Sequence, residues 1–174
     1  NAWRLQDGMP VIMLPGRLTR WKGQSVLIDA LRHLGRDDVR CLLVGSDQGR
    51  KGYRQDLDKL VRDRGLQNIV HIVDNCRDMP AAYMLADVVI SASTDPEAFG
   101  RVAVEAQAMG RPVVASDHGG ARETVLPWQT GWLVTPDDPK SLAAAIADAL
   151  ALEAEARTRM AEVARAHVLK HFTV

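Results

Sequence analysis

The strongest constraint on this chain is a recurring alternation. A short run that is apolar at every position gives way to a polar loop, and the loop to a segment whose apolar residues return every three to four positions. Val11-Ile12-Met13-Leu14 is the first such run, ended by Pro15-Gly16, and Val26, Leu27, Ala30, Leu31 and Leu34 then fall on one helical face. A strand without polar alternation is covered on both sides, the situation of a parallel sheet between two layers of helices. The unit repeats. Strand runs are expected at 41–44, 69–73, 88–90, 112–115 and 131–134, with helices at 53–64, 80–85, 101–109 and 121–124 between them. Two further helices, 139–150 and 153–170, close the chain. The last is rich in alanine with alternating Glu and Arg, which suits a helix lying over the domain surface.

The expected fold class is therefore α/β: a three-layer Rossmann-like domain with a mostly parallel sheet of about six strands, helices on both faces, and the C-terminal helix lying over the domain. A length of 174 residues suits one domain, over 11–174. Residues 1–10 carry Trp3, Gly8 and Pro10 without periodicity and read as a lead-in or linker remnant, and a start at Asn1 is compatible with a piece cut at a domain boundary. The 22 basic and 22 acidic residues cancel, so nothing points to disorder or to a general attraction for nucleic acid. Cys41 in an apolar run and Cys76 in a loop make neither a disulfide framework nor a metal cluster, and two reduced cysteines fit a cytoplasmic protein. No apolar run reaches the roughly 20 residues that cross a bilayer, and the start lacks the order of a secretory signal.

In an open α/β sheet, ligands bind beyond the carboxyl ends of the strands. The unusual polar loops all fall there: Gly16-Arg17, Gly45-Ser46-Asp47, Asp74 to Arg77, Ser91 to Glu97, and Ser116 to Gly120. The stretch from Asp95 to Glu123 places two acids, Glu97 and Glu105, on either side of a helix start near Gly100. Their eight-residue separation is not a same-face helical spacing, yet unpaired amides at that start would favour phosphate or another anion entering between them. The competing reading makes Glu97 a solvated loop acid and pairs Glu105 with Arg101, a surface contact worth about 0.3 kcal/mol.

Arg17, Arg20 and Lys22 follow the first strand within one loop. Arg grips phosphate oxygens in pairs and Lys adds a point charge, so Arg17 with Lys22 makes a plausible diphosphate clamp. A solvated basic loop is the alternative. Arg20, beside Trp21, is read as more exposed and outside the site. His118 in its glycine turn is a better ligand contact than His71, which sits inside an apolar strand. His33, His167 and His171 on or near helices need no function. A GxxxxGK[ST] loop, a GxGxxG after the first strand, a GxSxG elbow and a metal-ligand spacing are all missing from the sequence.

Gly16-Arg17-Leu18 through Lys22-Gly23, Glu97-Ala98-Phe99-Gly100 with Glu105-Ala106, Gly110-Arg111-Pro112-Val113-Val114-Ala115, then Gly119-Gly120 and Glu123 follow a family's order and spacing. From about Pro10 onward the chain strongly resembles the C-terminal, donor-binding half of the retaining GT-B glycosyltransferases of the group 1, or family 4, type, built from two Rossmann-like domains. The resemblance implies a UDP- or GDP-sugar donor, no tightly bound cofactor and no metal requirement. It also implies a sugar, glycan or lipid-linked acceptor met by an N-terminal domain, in the cytoplasm or at the inner face of the membrane. By resemblance Glu97 is the first acid of the E-x7-E motif, near the donor sugar, and Glu105 the second, meeting the ribose hydroxyls. Arg17 and Lys22 match the pair that neutralises the diphosphate, so Glu97, Arg17 and Lys22 are the catalytic candidates. Ala98, Phe99, Gly100 and Arg101 would lie along the sugar and diphosphate, and Gly16 would permit close approach.

Transfer with retention is implied, by attack from the face of the departing diphosphate. Glu97 is accordingly read as positioning the donor sugar rather than as the nucleophile that retaining hydrolases use. Asp74 stands where the family usually has glycine, in a loop that normally lines the base pocket. Asp74 and Arg77 are therefore donor-binding candidates whose base preference does not transfer. Two other readings keep the fold: a nucleotide-sugar 2-epimerase-like enzyme, and a non-catalytic nucleotide-binding module.

Overall fold

The computed structural model describes Trp3, residues 5–74 and residues 76–172. Asn1, which bears on the fragment reading, and Asn75, in the loop after the third strand, lie outside the described residues. The strands β1 (Val11–Pro15), β2 (Arg40–Val44), β3 (Val70–Val73), β4 (Val88–Ser91), β5 (Val113–Ser116) and β6 (Gly131–Val134) form one sheet in the order β3-β2-β1-β4-β5-β6. Every pairing in it is parallel. The helices are α1 (Gln24–Leu34), α2 (Lys51–Asp63), α3 (Met79–Leu85), α4 (Arg101–Ala108), α5 (Ala121–Thr124), α6 (Pro139–Leu150) and α7 (Ala154–His171). The sequence expectation of an α/β sheet covered on both sides holds, and the sheet is parallel throughout.

The apolar strands split their side chains between two cores, as a period of two requires. Ile12, Leu14, Cys41, Leu43, Val88 and Ile90 face Leu27, Ile28 and Leu31 of α1 and Leu142 and Ile146 of α6. Val11, Met13, Leu42, Val44, Val89 and Val113 face Tyr83 of α3 and Ala103 and Ala106 of α4. Each large aliphatic side chain enclosed this way contributes about 1.5–3 kcal/mol relative to exposure. The lead-in also packs, with Trp3 and Leu5 resting against the second core.

Helix α7 buries one residue per turn, Met160, Ala164 and Val168, and lies beside α4. Arg157 anchors it by donating to the carbonyls of Asp87 at 2.7 Å and Ala149 at 3.0 Å. It thus covers the domain as its composition suggests. Helix α2 begins at Lys51, two residues before the expected start at Tyr53, and a single 3-10 turn at Arg20–Lys22 occupies the loop after β1.

The sheet order decides where a ligand can enter. β1 pairs with β2 on one side and with β4 on the other, so connections leave toward opposite faces and a crevice opens above the two strands. The loops after β1, β2, β4 and β5 surround it.

Candidate functional site

Two spaces lie at this edge. The larger, a cleft of about 450 Å³, runs from the β1 and β2 loops to the start of α4. Its lining includes Gly16, Arg17, Gly45, Ser46, Tyr83, Val102 and Glu105. Its floor exists because two backbones touch: a Cβ at Gly45 would lie 1.8 Å from the Gly16 carbonyl oxygen, so no side chain fits. Gly16 itself has φ +149°, inside the range glycine tolerates. Hydrogen bonds from Gly16 N to Val44 O at 2.9 Å and from Leu18 N to Ser46 O at 3.0 Å tie the loops together.

Arg17 is exposed on the rim of this cleft and has no carboxylate partner among the described residues. Its backbone is held from below. The fully buried Gln24 donates from Nε2 to the Arg17 carbonyl at 2.9 Å and accepts from the Tyr53 hydroxyl at 3.3 Å. Across the cleft, α4 begins after Gly100 with no side-chain cap, and its first amides are left open to an anion. One turn further on, Glu105 Oε2 accepts from the Tyr83 hydroxyl at 2.9 Å. Tyr83 is 2% exposed, and burial, reinforced by the Glu105 charge, pushes its pKa far above the ordinary tyrosine range. The phenol therefore stays a donor and fixes one carboxylate oxygen of an acid that faces the cleft.

The smaller space is a tight hollow bounded by Ser91, Ser93, Glu97, Gly100, Ser116 and His118. Glu97 forms an ion pair with Lys22, the two side chains only 18% and 17% exposed, and Lys22 Nζ also lies 4.5 Å from the Trp21 ring centre. The β5 loop presses on the Glu97 backbone. Gly120 N donates to Glu97 O at 2.7 Å, and a Cβ at Gly119, where φ is +58°, would stand 2.4 Å from the same oxygen. His118 Nε2 lies 2.8 Å from Ser93 O. A carbonyl can only accept, so this nitrogen carries the proton.

The predicted residues thus divide. Gly16, Arg17 and Glu105 meet in the cleft, Glu97 and Gly100 in the hollow, and Lys22 reaches from the cleft loop to the hollow acid. Ala98, Phe99 and Arg101 are exposed around the start of α4, and the Phe99 ring stands edge-on to Phe172 at 6.2 Å. Asp74 is ion-paired with Arg54 and borders a neighbouring polar hollow, with Asp47, Lys51 and the Ser46 that also lines the cleft, while Arg77 is exposed and lines none of these spaces. The competing reading of the two acids is corrected: Glu105 bonds Tyr83 rather than Arg101, and Glu97 is a largely buried ion-pair partner rather than a solvated acid. Arg20 stays outside the site, bound to Asp56 at 3.0 Å over the Tyr53 ring. Among the described residues no group of three or more His, Cys, Asp or Glu side chains is placed to hold a metal ion.

Tyr83 and Gln24 are absent from the residues that the sequence singles out. Tyr83 lies inside a short helix with no motif around it, and its partner is 22 positions away. Gln24 opens a helix, and nothing local announces that it is wholly buried. Cys76 and Met79 also line the cleft, where Asp74 and Arg77 were expected.

Comparison with known proteins follows the same lines. The family model described as Glycosyl transferases group 1 matches residues 1–167. A D-inositol 3-phosphate glycosyltransferase of Xylanimonas cellulosilytica is 39% identical over 172 residues, covering 95% of this chain and 40% of the relative. A GDP-mannose-dependent alpha-(1-6)-phosphatidylinositol monomannoside mannosyltransferase of Mycolicibacterium smegmatis is 36% identical over 154 residues, covering 82% of this chain and 39% of the relative. The crystal structure of Anabaena HepE in complex with UDP-glucose superposes with a TM-score of 0.89 at 36% identity, over 95% of this chain and 45% of that one. The chain spans about 40% of the length of the curated relatives it matches.

Proposed function

The chain belongs to the group 1 glycosyl transferases, and from that premise we propose that its cleft binds a nucleoside diphosphate-sugar as the donor half of a retaining glycosyltransferase. The observation that carries the reading is the convergence at the sheet's switch point of an Arg17 without a carboxylate partner among the described residues, the uncapped start of α4 and a Glu105 held by Tyr83. These groups suit the parts of such a donor in sequence. Glu105 accepts from the ribose hydroxyls, the α4 amides and Arg17 meet the diphosphate, and Glu97 positions the sugar beyond it. Positive charge and oriented amides would stabilise the diphosphate as it leaves, without a metal being required of them.

The donor is a UDP- or GDP-sugar. HepE was crystallised with UDP-glucose and the mycobacterial relative is named for GDP-mannose, which supports this class of donor without choosing the base. In this reading the chain is a C-terminal domain over 11–174. A companion N-terminal domain, within the share of the relatives' length not spanned here, brings an acceptor hydroxyl on a sugar, glycan or lipid-linked carrier. The departing diphosphate takes the acceptor's proton on the same face, giving retention. Asp74 and Arg77 remain candidates for the base end, Ala98, Phe99, Gly100 and Arg101 for the sugar and diphosphate. No helix among the described residues is long and apolar enough to cross a membrane.

Calorimetric titration of the chain with UDP-glucose and GDP-mannose tests this. Arg17→Ala and Glu105→Ala should each weaken binding of whichever donor the parent chain takes about tenfold, the scale of a lost charge-assisted hydrogen bond. Unchanged affinity in both variants would sink the assignment of the cleft.

A further inference from the structure

Lys22 links a residue of the cleft to the acid of the hollow, although it lines neither space itself. Its stem packs over Gly16 on the cleft side, with Cδ 3.5 Å from where a Gly16 Cβ would be, while its ammonium pairs with Glu97 on the hollow side. The pair is mostly shielded from water, so its attraction is screened less than that of a surface pair. The backbone that carries Glu97 is held as well, by Gly120 N on its carbonyl and by the close approach of Gly119. Any anion in the cleft that draws on Lys22 therefore competes with a carboxylate already paired with it.

Resting on the nucleotide-sugar reading, we propose that Glu97 makes the site discriminate between a nucleotide sugar and the bare nucleoside diphosphate by contesting Lys22. A nucleotide sugar compensates for diverting Lys22, because its sugar hydroxyls donate to Glu97 as the diphosphate takes the ammonium. A bare nucleoside diphosphate brings negative charge next to Glu97 and no donors for it. It faces like-charge repulsion and the loss of the Lys22 pair at once. The same contest acts after transfer. Once the sugar has left, Glu97 recovers Lys22 and the nucleoside diphosphate is loosened, which favours product release.

The prediction has an unusual sign: removing an acid of the site should strengthen binding of one ligand. In titrations of the chain with UDP, GDP, UDP-glucose and GDP-mannose, Glu97→Gln should bind the bare diphosphate of the preferred base about tenfold more tightly than the parent, the scale of coupling between contacting charged residues. It should bind the corresponding nucleotide sugar no more tightly. Lys22→Ala should weaken the bare diphosphate, and adding Glu97→Gln to Lys22→Ala should give no gain, because the contested group is gone. Circular dichroism of all variants confirms that each is folded. Equal affinity of parent and Glu97→Gln for the bare diphosphate, or the same gain with Lys22 absent, overturns the inference while leaving the cleft reading standing. No binding of any of the four ligands by the parent chain overturns both.

Discussion

The cleft around Glu105 and the hollow around Glu97 are built on opposite principles, although a single loop-helix junction supplies both acids. In the cleft the backbone is fixed and the charges are free: Gly16 and Gly45 touch, Gln24 holds the loop from below, and Arg17 and the α4 amides await an anion. In the hollow the polar groups are already matched, Glu97 to Lys22 and the His118 ring to the Ser93 carbonyl, under a glycine turn that leaves no room for a methyl group. The cleft is therefore organised to capture charge, and the hollow to hold one acid in place and to set what its release requires.

Substitutions separate the two. The largest effect is expected at Gly119, where alanine meets both a left-handed φ and a carbonyl 2.4 Å away. Gly119→Ala should cost about 3 kcal/mol of stability in urea unfolding. Gly49→Ala, with φ +80° but open space around it, should cost about 1–2 kcal/mol from backbone strain alone. Equal losses would mean that the hollow is not tightly built. On the cleft side, Gln24→Leu removes the bonds to the Arg17 carbonyl and from the Tyr53 hydroxyl and should cost about 2 kcal/mol while weakening nucleotide binding. A loss of stability with unchanged affinity would break the link between this buried amide and the Arg17 loop.

Tyr83→Phe removes one bond to Glu105 and should cost about 1 kcal/mol. It also has a pH signature. The raised pKa of Tyr83 in the folded chain means that the unfolded chain loses its phenolic proton first. The stability Tyr83 contributes is therefore full below its unfolded pKa of about 10 and falls as pH rises beyond it. Unfolding curves of the phenylalanine variant should decline less above that point, and identical pH profiles would contradict the buried Tyr83–Glu105 bond. Smallest of all, Arg20→Ala breaks an exposed pair outside both spaces and should change stability by less than about 0.5 kcal/mol and nucleotide affinity not at all. A clear loss of affinity there would enlarge the cleft beyond the boundary drawn for it.

Much of the scaffold is legible in the sequence because its signals are local. The bounds of α1, α5 and β6 coincide with those read from periodicity and glycine stops, and uninterrupted apolar runs announce a sheet with two covered faces. Helix α2 starts earlier than expected because Lys51 and Gly52 carry no apolar residue to mark the first turn. The 3-10 turn at Arg20–Lys22 is too short to leave a period. The candidate site is legible in its membership and not in its pairing. Gly16, Arg17 and Glu97 stand out in the loops that follow strands, and Glu105 by its spacing from Glu97, but the Lys22–Glu97 pair spans 75 positions and depends on the order in which β1 and β4 come together. Gln24 and Tyr83 stay hidden for a related reason: burial of a polar group is set by tertiary packing, and neither residue belongs to a local motif.

A crystal structure of the chain with bound UDP-glucose or GDP-mannose would show the donor's path through the cleft. The ribose should lie on Glu105, the diphosphate between Arg17 and the first turn of α4, the sugar against Glu97, and Lys22 should be turned from Glu97 toward the diphosphate. A donor seated elsewhere on the domain, or one that leaves Glu105 and the α4 amides without contact, would contradict the assignment of the cleft.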